Sequence, residues 1–154
     1  MKLWKIMAVS ALVFSGSALA TTYNGGDNHG GGGDPSTPVF QTTSWNSEIQ
    51  IYQSGTANVA NATQNTAQNS LTSIGQYGYK NNASTTQDGN KSSLTLGQYG
   101  DYNNASLLQT ADKSKLQVSQ NGSSNYVNAT QTANGSLVSI QQYGNANQAY
   151  AAQH

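Results

Sequence analysis

The stretch SEIQIYQSGTANVANATQ, residues 47–64, sets Ser47, Ile49, Ile51 and Gln53 two apart, passes through Ser-Gly-Thr, and continues as Asn, Ala and Gln in alternation. Side chains two apart share one face of a β-strand. The spacing predicts a strand, a Gly-centred turn and a second strand, with apolar residues and amides together on the inward face. Buried amides need hydrogen-bond partners, and a lone hairpin offers none.

Self-comparison supplies them. The pattern returns at 70–87 (SLTSIGQYGYKNNASTTQ), 92–109 (SSLTLGQYGDYNNASLLQ), 114–131 (SKLQVSQNGSSNYVNATQ) and 136–153 (SLVSIQQYGNANQAYAAQ). Each repeat keeps Ser at position 0, Gln at 6, Gly at 8, Asn at 11, Ala or Val at 13 and Gln at 17. The period is 22, with one extra residue between Gln64 and Ser70. The inward aliphatics are Ile49, Ile51, Ile74, Leu94, Leu96, Leu116, Val118, Val138 and Ile140. Thr72 takes an aliphatic place in the second repeat and is expected to weaken that rung. Turn glycines fall at Gly55, Gly78, Gly100, Gly122 and Gly144, where a missing Cβ permits positive φ or a close approach.

One such hairpin buries too little hydrocarbon to offset the entropy of ordering it. Stacking the repeats as rungs about 4.8 Å apart pairs each backbone with the rungs above and below. Equivalent side chains then fall into columns. The inward amides form three: Gln53, Gln76, Gln98, Gln120 and Gln142; Asn58, Asn81, Asn103, Asn125 and Asn147; Gln64, Gln87, Gln109, Gln131 and Gln153. An amide carries donors and acceptors, so it bonds to its own copy one rung away; stacked charges would repel. The expected fold is all-β, a cross-β solenoid of five strand-turn-strand repeats over 47–153.

Composition agrees with an assembly rather than a conventional core. Of 154 residues, 35% are hydrophobic and 8% charged, with no Arg and no Cys. Neutral, amide-rich chains favour inter-strand pairing. Lys2 and Lys5, the apolar run 7–14 and the small-residue segment ending at Ala20 read as a secretory signal peptide, residues 1–20. The apolar run is far shorter than the roughly 20 residues of a spanning helix. Cleavage leaves four Lys against six acidic residues, which points to no nucleic-acid partner. Residues 21–46 are a Gly-rich leader, expected to be disordered. In an exported chain without Cys, no disulfides compensate for the thin core.

The S-x5-Q-x-G-x2-N-x-A-x3-Q pattern, fivefold over 47–153 behind a signal peptide and a Gly-rich leader, resembles the curlin family of bacterial curli subunits. Val127 in place of Ala and Thr72 in place of an aliphatic are the departures. The resemblance implies a functional amyloid. Such a subunit crosses the inner membrane, stays unfolded in the periplasm with accessory chaperones, leaves through a dedicated outer-membrane channel and polymerises on a surface-bound nucleator. Its fibres serve biofilm matrix and adhesion at the cell surface. The leader, Thr21 to Asn46, would be read by the secretion machinery. The surface nucleator itself is the alternative within the family.

The stack also leaves unpaired strand edges at its two ends, which favours head-to-tail polymerisation of the chain with itself. Asp88, Lys91, Asp101, Asp112, Lys113 and Lys115 lie in or beside the second to fourth repeats. They are expected either to act as gatekeepers that slow those rungs from nucleating or simply to face solvent at turns. Tyr77, Tyr99 and Tyr143 at outward position 7 predict an aromatic ladder interrupted at Asn121. The segment NGGDNHGGGGD, 24–34, does not recur at the nine-residue period of calcium-binding β-rolls. His29 and His154 are terminal and solvated, and no cofactor or metal is expected. Catalysis lacks its parts, with no Cys, no Arg and no His inside the repeats. An ice-binding solenoid would need a flat outward array of Thr, and a carbohydrate-active β-helix would need clustered acids.

Overall fold

The computed structural model describes residues 39–42 and 47–154. The signal peptide, most of the leader, the 24–34 segment and His29 lie outside them. Ten strands belong to the five repeats, two to each: β2 (Glu48–Thr56) and β3 (Val59–Gln64), β4 (Leu71–Tyr79) and β5 (Asn82–Gln87), β6 (Ser93–Asp101) and β7 (Asn104–Gln109), β8 (Lys115–Asn121) and β9 (Tyr126–Gln131), β10 (Leu137–Tyr143) and β11 (Gln148–Gln153). All neighbours pair in parallel. The first strands of the repeats make one sheet, ordered β10-β8-β6-β4-β2, and the second strands make another. The result is a β-solenoid of five rungs.

Register follows the repeat residue for residue. Ile51 faces Ile74, Ile74 faces Leu96 and Leu96 faces Val118, while Gln53, Gln76 and Gln98 stand opposite one another. Because a parallel pair preserves direction, each side chain lies against its counterpart one period away. Burial alternates as period 2 requires: β4 and β6 both run buried at every second residue up to the inward Gln.

The core lies between the two sheets. Ile49, Ile51, Ile74, Leu94, Leu96, Leu116, Val118 and Val138 line it from one side. Ala60, Ala62, Ala83, Ala105, Leu107, Val127 and Ala129 line it from the other, and Ile140 is only partly buried. Small residues on the second sheet leave width for aliphatics on the first.

One expectation needs correction, and a second gains a structural detail. The leader was expected to be disordered, yet its residues Val39–Thr42 form a strand, β1, paired in parallel with β3 (Val39↔Asn61 to Thr42↔Gln64). The second sheet therefore has six strands and the first five. An unpaired edge of β3 is a template for any extended segment within reach. Thr72 was expected to weaken its rung. It is fully buried, but its Oγ1 donates to Gln87 Oε1 (2.9 Å) and accepts from Gln64 Nε2 (3.1 Å), so the hydroxyl is satisfied by the amide column beside it.

The turns hold more than their glycines. Gly55, Gly78 and Gly100 lie within the ends of β2, β4 and β6 rather than between strands. The five glycines of this series have φ of 99–126°. Two residues later Ala57, Lys80, Tyr102, Ser124 and Ala146 also adopt positive φ, 53–58°. Each bend thus uses two backbone reversals, of which only the first is marked by Gly. At the other bend of the rung Asn69, Lys91, Lys113 and Gly135 take the same left-handed conformation.

Candidate functional site

The inward amides are the chemical content of the solenoid. In the position-6 column each side-chain amide donates to the next rung: Gln53 Nε2 to Gln76 Oε1 (2.6 Å), Gln76 to Gln98 (2.8 Å), Gln98 to Gln120 (2.8 Å) and Gln120 to Gln142 (3.1 Å). The second amide hydrogen turns across the core to a carbonyl of the opposite sheet, as from Gln98 to Asn82 O (2.9 Å). The position-17 column runs the same way, from Gln64 to Gln87, Gln109, Gln131 and Gln153. Both columns therefore have a direction.

The Asn column works differently. Each Oδ1 accepts the backbone N–H of the Asn one rung on, as Asn81 N to Asn58 (3.0 Å) and Asn103 N to Asn81 (3.0 Å). Each Nδ2 reaches a turn glycine carbonyl of the following rung: Asn58 to Gly78 O, Asn81 to Gly100 O, Asn103 to Gly122 O and Asn125 to Gly144 O, at 2.7–3.0 Å. The same glycines are pressed from below. A Cβ on Gly78 would collide with the carbonyl oxygen of Gly100, and one on Gly100 with that of Gly122. Asn and Gly are thus one device, which clamps the bend of one rung onto the next.

The two rims of the stack are not alike. At the first rung Gln53 is 2% exposed, and its Oε1 is buried with no hydrogen-bond partner among the described residues. At the last rung Gln142 accepts from Gln120 while its Nε2 donates to Tyr126 O (3.1 Å). An amide donates two hydrogens, and in the other rungs the second goes to the next Gln. The column ends in a bare acceptor at one rim and in donor capacity at the other. Among the described residues, no group of three or more His, Cys, Asp or Glu could hold a metal ion.

The family model for the curlin associated repeat matches residues 67–100 and again 89–122, windows that differ by the 22-residue period of the hydrogen-bond ladder. Residues 67–122 are thus similar to the curlin associated repeat. The major curlin subunit of Salmonella typhimurium is 42% identical over 87 residues, which is 56% of this chain and 55% of that relative. Those of Salmonella typhi and Salmonella enteritidis match to the same extent. The match thus spans little more than half the length of these curated relatives.

Within the repeats three further columns do work; the spacing pointed to the tyrosines but left the bonding of the serines and acids unread. The position-0 serines form one: Ser70 Oγ accepts from Ser92 N (3.2 Å) and donates to Gly89 O (2.7 Å), and Ser92 and Ser114 repeat the scheme. Their strict recurrence was the only available signal. The acids form another. Asp101 Oδ1 accepts from Tyr79 N (3.0 Å), Asp112 from Asn90 N (2.7 Å) and Asp88 from Asn65 N (3.3 Å). Asn90, Asn134 and Asn145 make equivalent bonds to the backbone of the preceding rung. These acids therefore serve as bend acceptors interchangeable with Asn. Lys91, Lys113 and Lys115 are exposed.

Tyrosines make the third column. Tyr77 and Tyr99 stack at 4.9 Å and 6°, and Tyr52 extends the pile at 5.1 Å from a different position of its repeat. Gly97 makes room, since a Cβ there would lie 3.0 Å from the Tyr99 ring. Burial, reinforced by Tyr99 and Tyr52, pushes the Tyr77 phenol above its usual pKa. Tyr143, beyond Asn121, is 68% exposed. Lys80 sits over the Tyr79 and Tyr102 rings at 4.9 and 5.6 Å. A side-chain hydrogen bond to Tyr79 holds its ammonium above the usual lysine pKa.

Proposed function

We propose that this chain is a structural subunit of extracellular curli-type amyloid fibres, and that copies join head to tail with the last rung of one copy against the first rung of the next. The observation that carries this reading is the directed Gln column, with a buried bare acceptor at Gln53 Oε1 and donor capacity at Gln142 Nε2. Seated one rung apart, the two would make the same bond that Gln120 makes to Gln142. The open edges of β10 and β11 would continue into the next copy as parallel pairs. A contact of this kind never closes on itself, so it builds a filament.

In this account residues 1–20 are the cleaved signal peptide, 21–46 the leader read by the secretion machinery, and 47–153 the amyloid core. The inward amides, the aliphatics and the turn glycines hold the core. The charged bends keep the middle rungs from nucleating early. An outer-membrane secretion channel, periplasmic chaperones and a surface nucleator are the implied partners, and biofilm matrix and adhesion the roles. The fibre contains no catalyst; its work is mechanical.

The test is conversion in a purified system. Residues 21–154, freshly desalted from denaturant, should give a disordered circular dichroism spectrum. After a lag it should turn β-rich together with thioflavin fluorescence. A soluble β monomer persisting for days at tens of micromolar would contradict the proposal.

A further inference from the structure

A filament built from this solenoid must add equal numbers of strands to both sheets, because rungs in the two are joined by short bends and share a spacing of about 4.8 Å. The described chain does not satisfy that condition. Its second sheet has six strands and its first has five, and the surplus strand is β1. If β1 stayed in place, each added copy would shift one sheet by a rung against the other, and the bends could not span the growing offset.

The register identifies whose place β1 occupies. Val39–Thr42 pair with residues 61–64. In the last rungs residues 150–153 of β11 pair with 128–131, the repeat equivalents of 61–64. β1 thus lies where the last four residues of β11 of a preceding copy would lie. The rims differ in the same sense. Inward residues of the first rung, such as Ile49 and Ala60, are 0% exposed, whereas Ile140, Ala149 and Ala151 of the last are only partly buried.

We infer that β1 is a built-in placeholder on the edge of β3, which the β11 strand of a second copy displaces during assembly. The inference rests on the head-to-tail reading above. β1 offers four paired residues on one sheet, while an incoming last rung offers seven in β10 and six in β11. The exchange therefore favours the second copy once it arrives. Until then β1 covers an edge that would otherwise pair with any extended chain. One fibre end shows the bare last rung and the other shows a first rung still holding β1, so the two ends grow at different rates.

Alternate N–H groups of a strand point to opposite edges, so replacing two consecutive residues by Pro removes one that faces β3. The experiment compares residues 21–154 with the Phe40→Pro/Gln41→Pro variant, and uses Ser36→Pro as a control for proline itself. Two-colour seeded growth reads each fibre end, and amide hydrogen exchange reads the finished fibre. The expected result is unequal ends in the parent, with the slow end accelerated severalfold in the double variant and unchanged in the control. Amides of 39–42 should exchange freely in the fibre while those of 59–64 stay protected. Protected 39–42 amides, equal ends in the parent, or a slow end unmoved by the double variant would each overturn the placeholder. A chain that forms no fibres overturns the subunit proposal as well, so the two failures are told apart.

Discussion

The first and last rungs are built from the same repeat, yet they differ in cover. Ile49, Ile51, Ala60 and Ala62 of the first are at most 1% exposed. In the last, Val138 reaches 8% and Ile140, Ala149 and Ala151 are only partly buried. The amides follow: Asn58 is 1% exposed, whereas Asn147 and Gln153 are half-buried. Equivalent residues thus gain or lose their burial with the neighbour that covers them. Stability in such a stack belongs to the interfaces between rungs more than to the rungs. The last rung is incomplete until another surface meets it.

Substitutions at the bend glycines should separate rung from rim most sharply. Gly100→Ala combines a φ of 108° with a collision against the Gly122 carbonyl, so it should abolish conversion to fibrils over days, read by thioflavin fluorescence. Gly144→Ala shares the strain of a positive φ, 99°, but its Cβ meets only Asn147 Nδ2 at 3.6 Å within the chain. In a filament its Cβ would strike the Gly55 carbonyl of the next copy. It should therefore leave the internal rungs intact and slow seeded elongation by an order of magnitude. Equal behaviour of the two variants would erase the distinction between rim and interior.

A charge at the rim should act next most strongly. Gln142→Glu buries a carboxylate at the joint and replaces a donor by an acceptor facing Gln53 Oε1. Burial without a cation raises the carboxyl pKa in the fibre above its solution value of about 4.3. Assembly is then favoured below the solution pKa and lost as pH rises through the raised value. Growth rates against pH should show near-failure at pH 7 and recovery below about pH 4.

Truncation should do less. Gln142→Ala removes one hydrogen bond worth about 1 kcal/mol net at each joint. Because a nucleus needs several joints, the lag should lengthen severalfold. Gln141→Ala, at an exposed site one residue earlier, is the control and should change little. A delay as long for Gln141→Ala would contradict the inward and outward assignment. The smallest effect is expected between peptides. Segments 47–64 and 136–153 should fibrillise faster than 114–131, whose Lys115 stacks on itself, and the gap should narrow with salt. Equal rates would remove the gatekeeper role of these charges.

What the sequence disclosed follows from what repetition records. A period of 22 and an inner period of 2 suffice to place Ile51 over Ile74 and Gln76 over Gln98, because a parallel stack leaves no other freedom. Bond direction was not legible, since an amide reads the same whether it donates up or down the column. Nor were the left-handed positions at Lys80 and Tyr102, which carry ordinary side chains. The acceptor role of Asp101 was hidden by its charge, although Asn145 at the same repeat position is the clue. β1 escaped because it matches no repeat: it is defined by the edge it covers.

The joint between copies is the central claim, and solid-state NMR on mixed fibres reads it directly. One population carries 15N in its Gln side chains and the other carries 13C, so any transfer between them crosses a molecular boundary. Head-to-tail stacking predicts a signal between the Gln142 side-chain nitrogen of one copy and the Gln53 side-chain carbonyl carbon of another, as from an amide pair hydrogen-bonded like Gln120 Nε2 and Gln142 Oε1 (N···O 3.1 Å). Signals pairing Gln142 with Gln142 and Gln53 with Gln53 would mean that whole chains lie in register on one another, and would contradict the account.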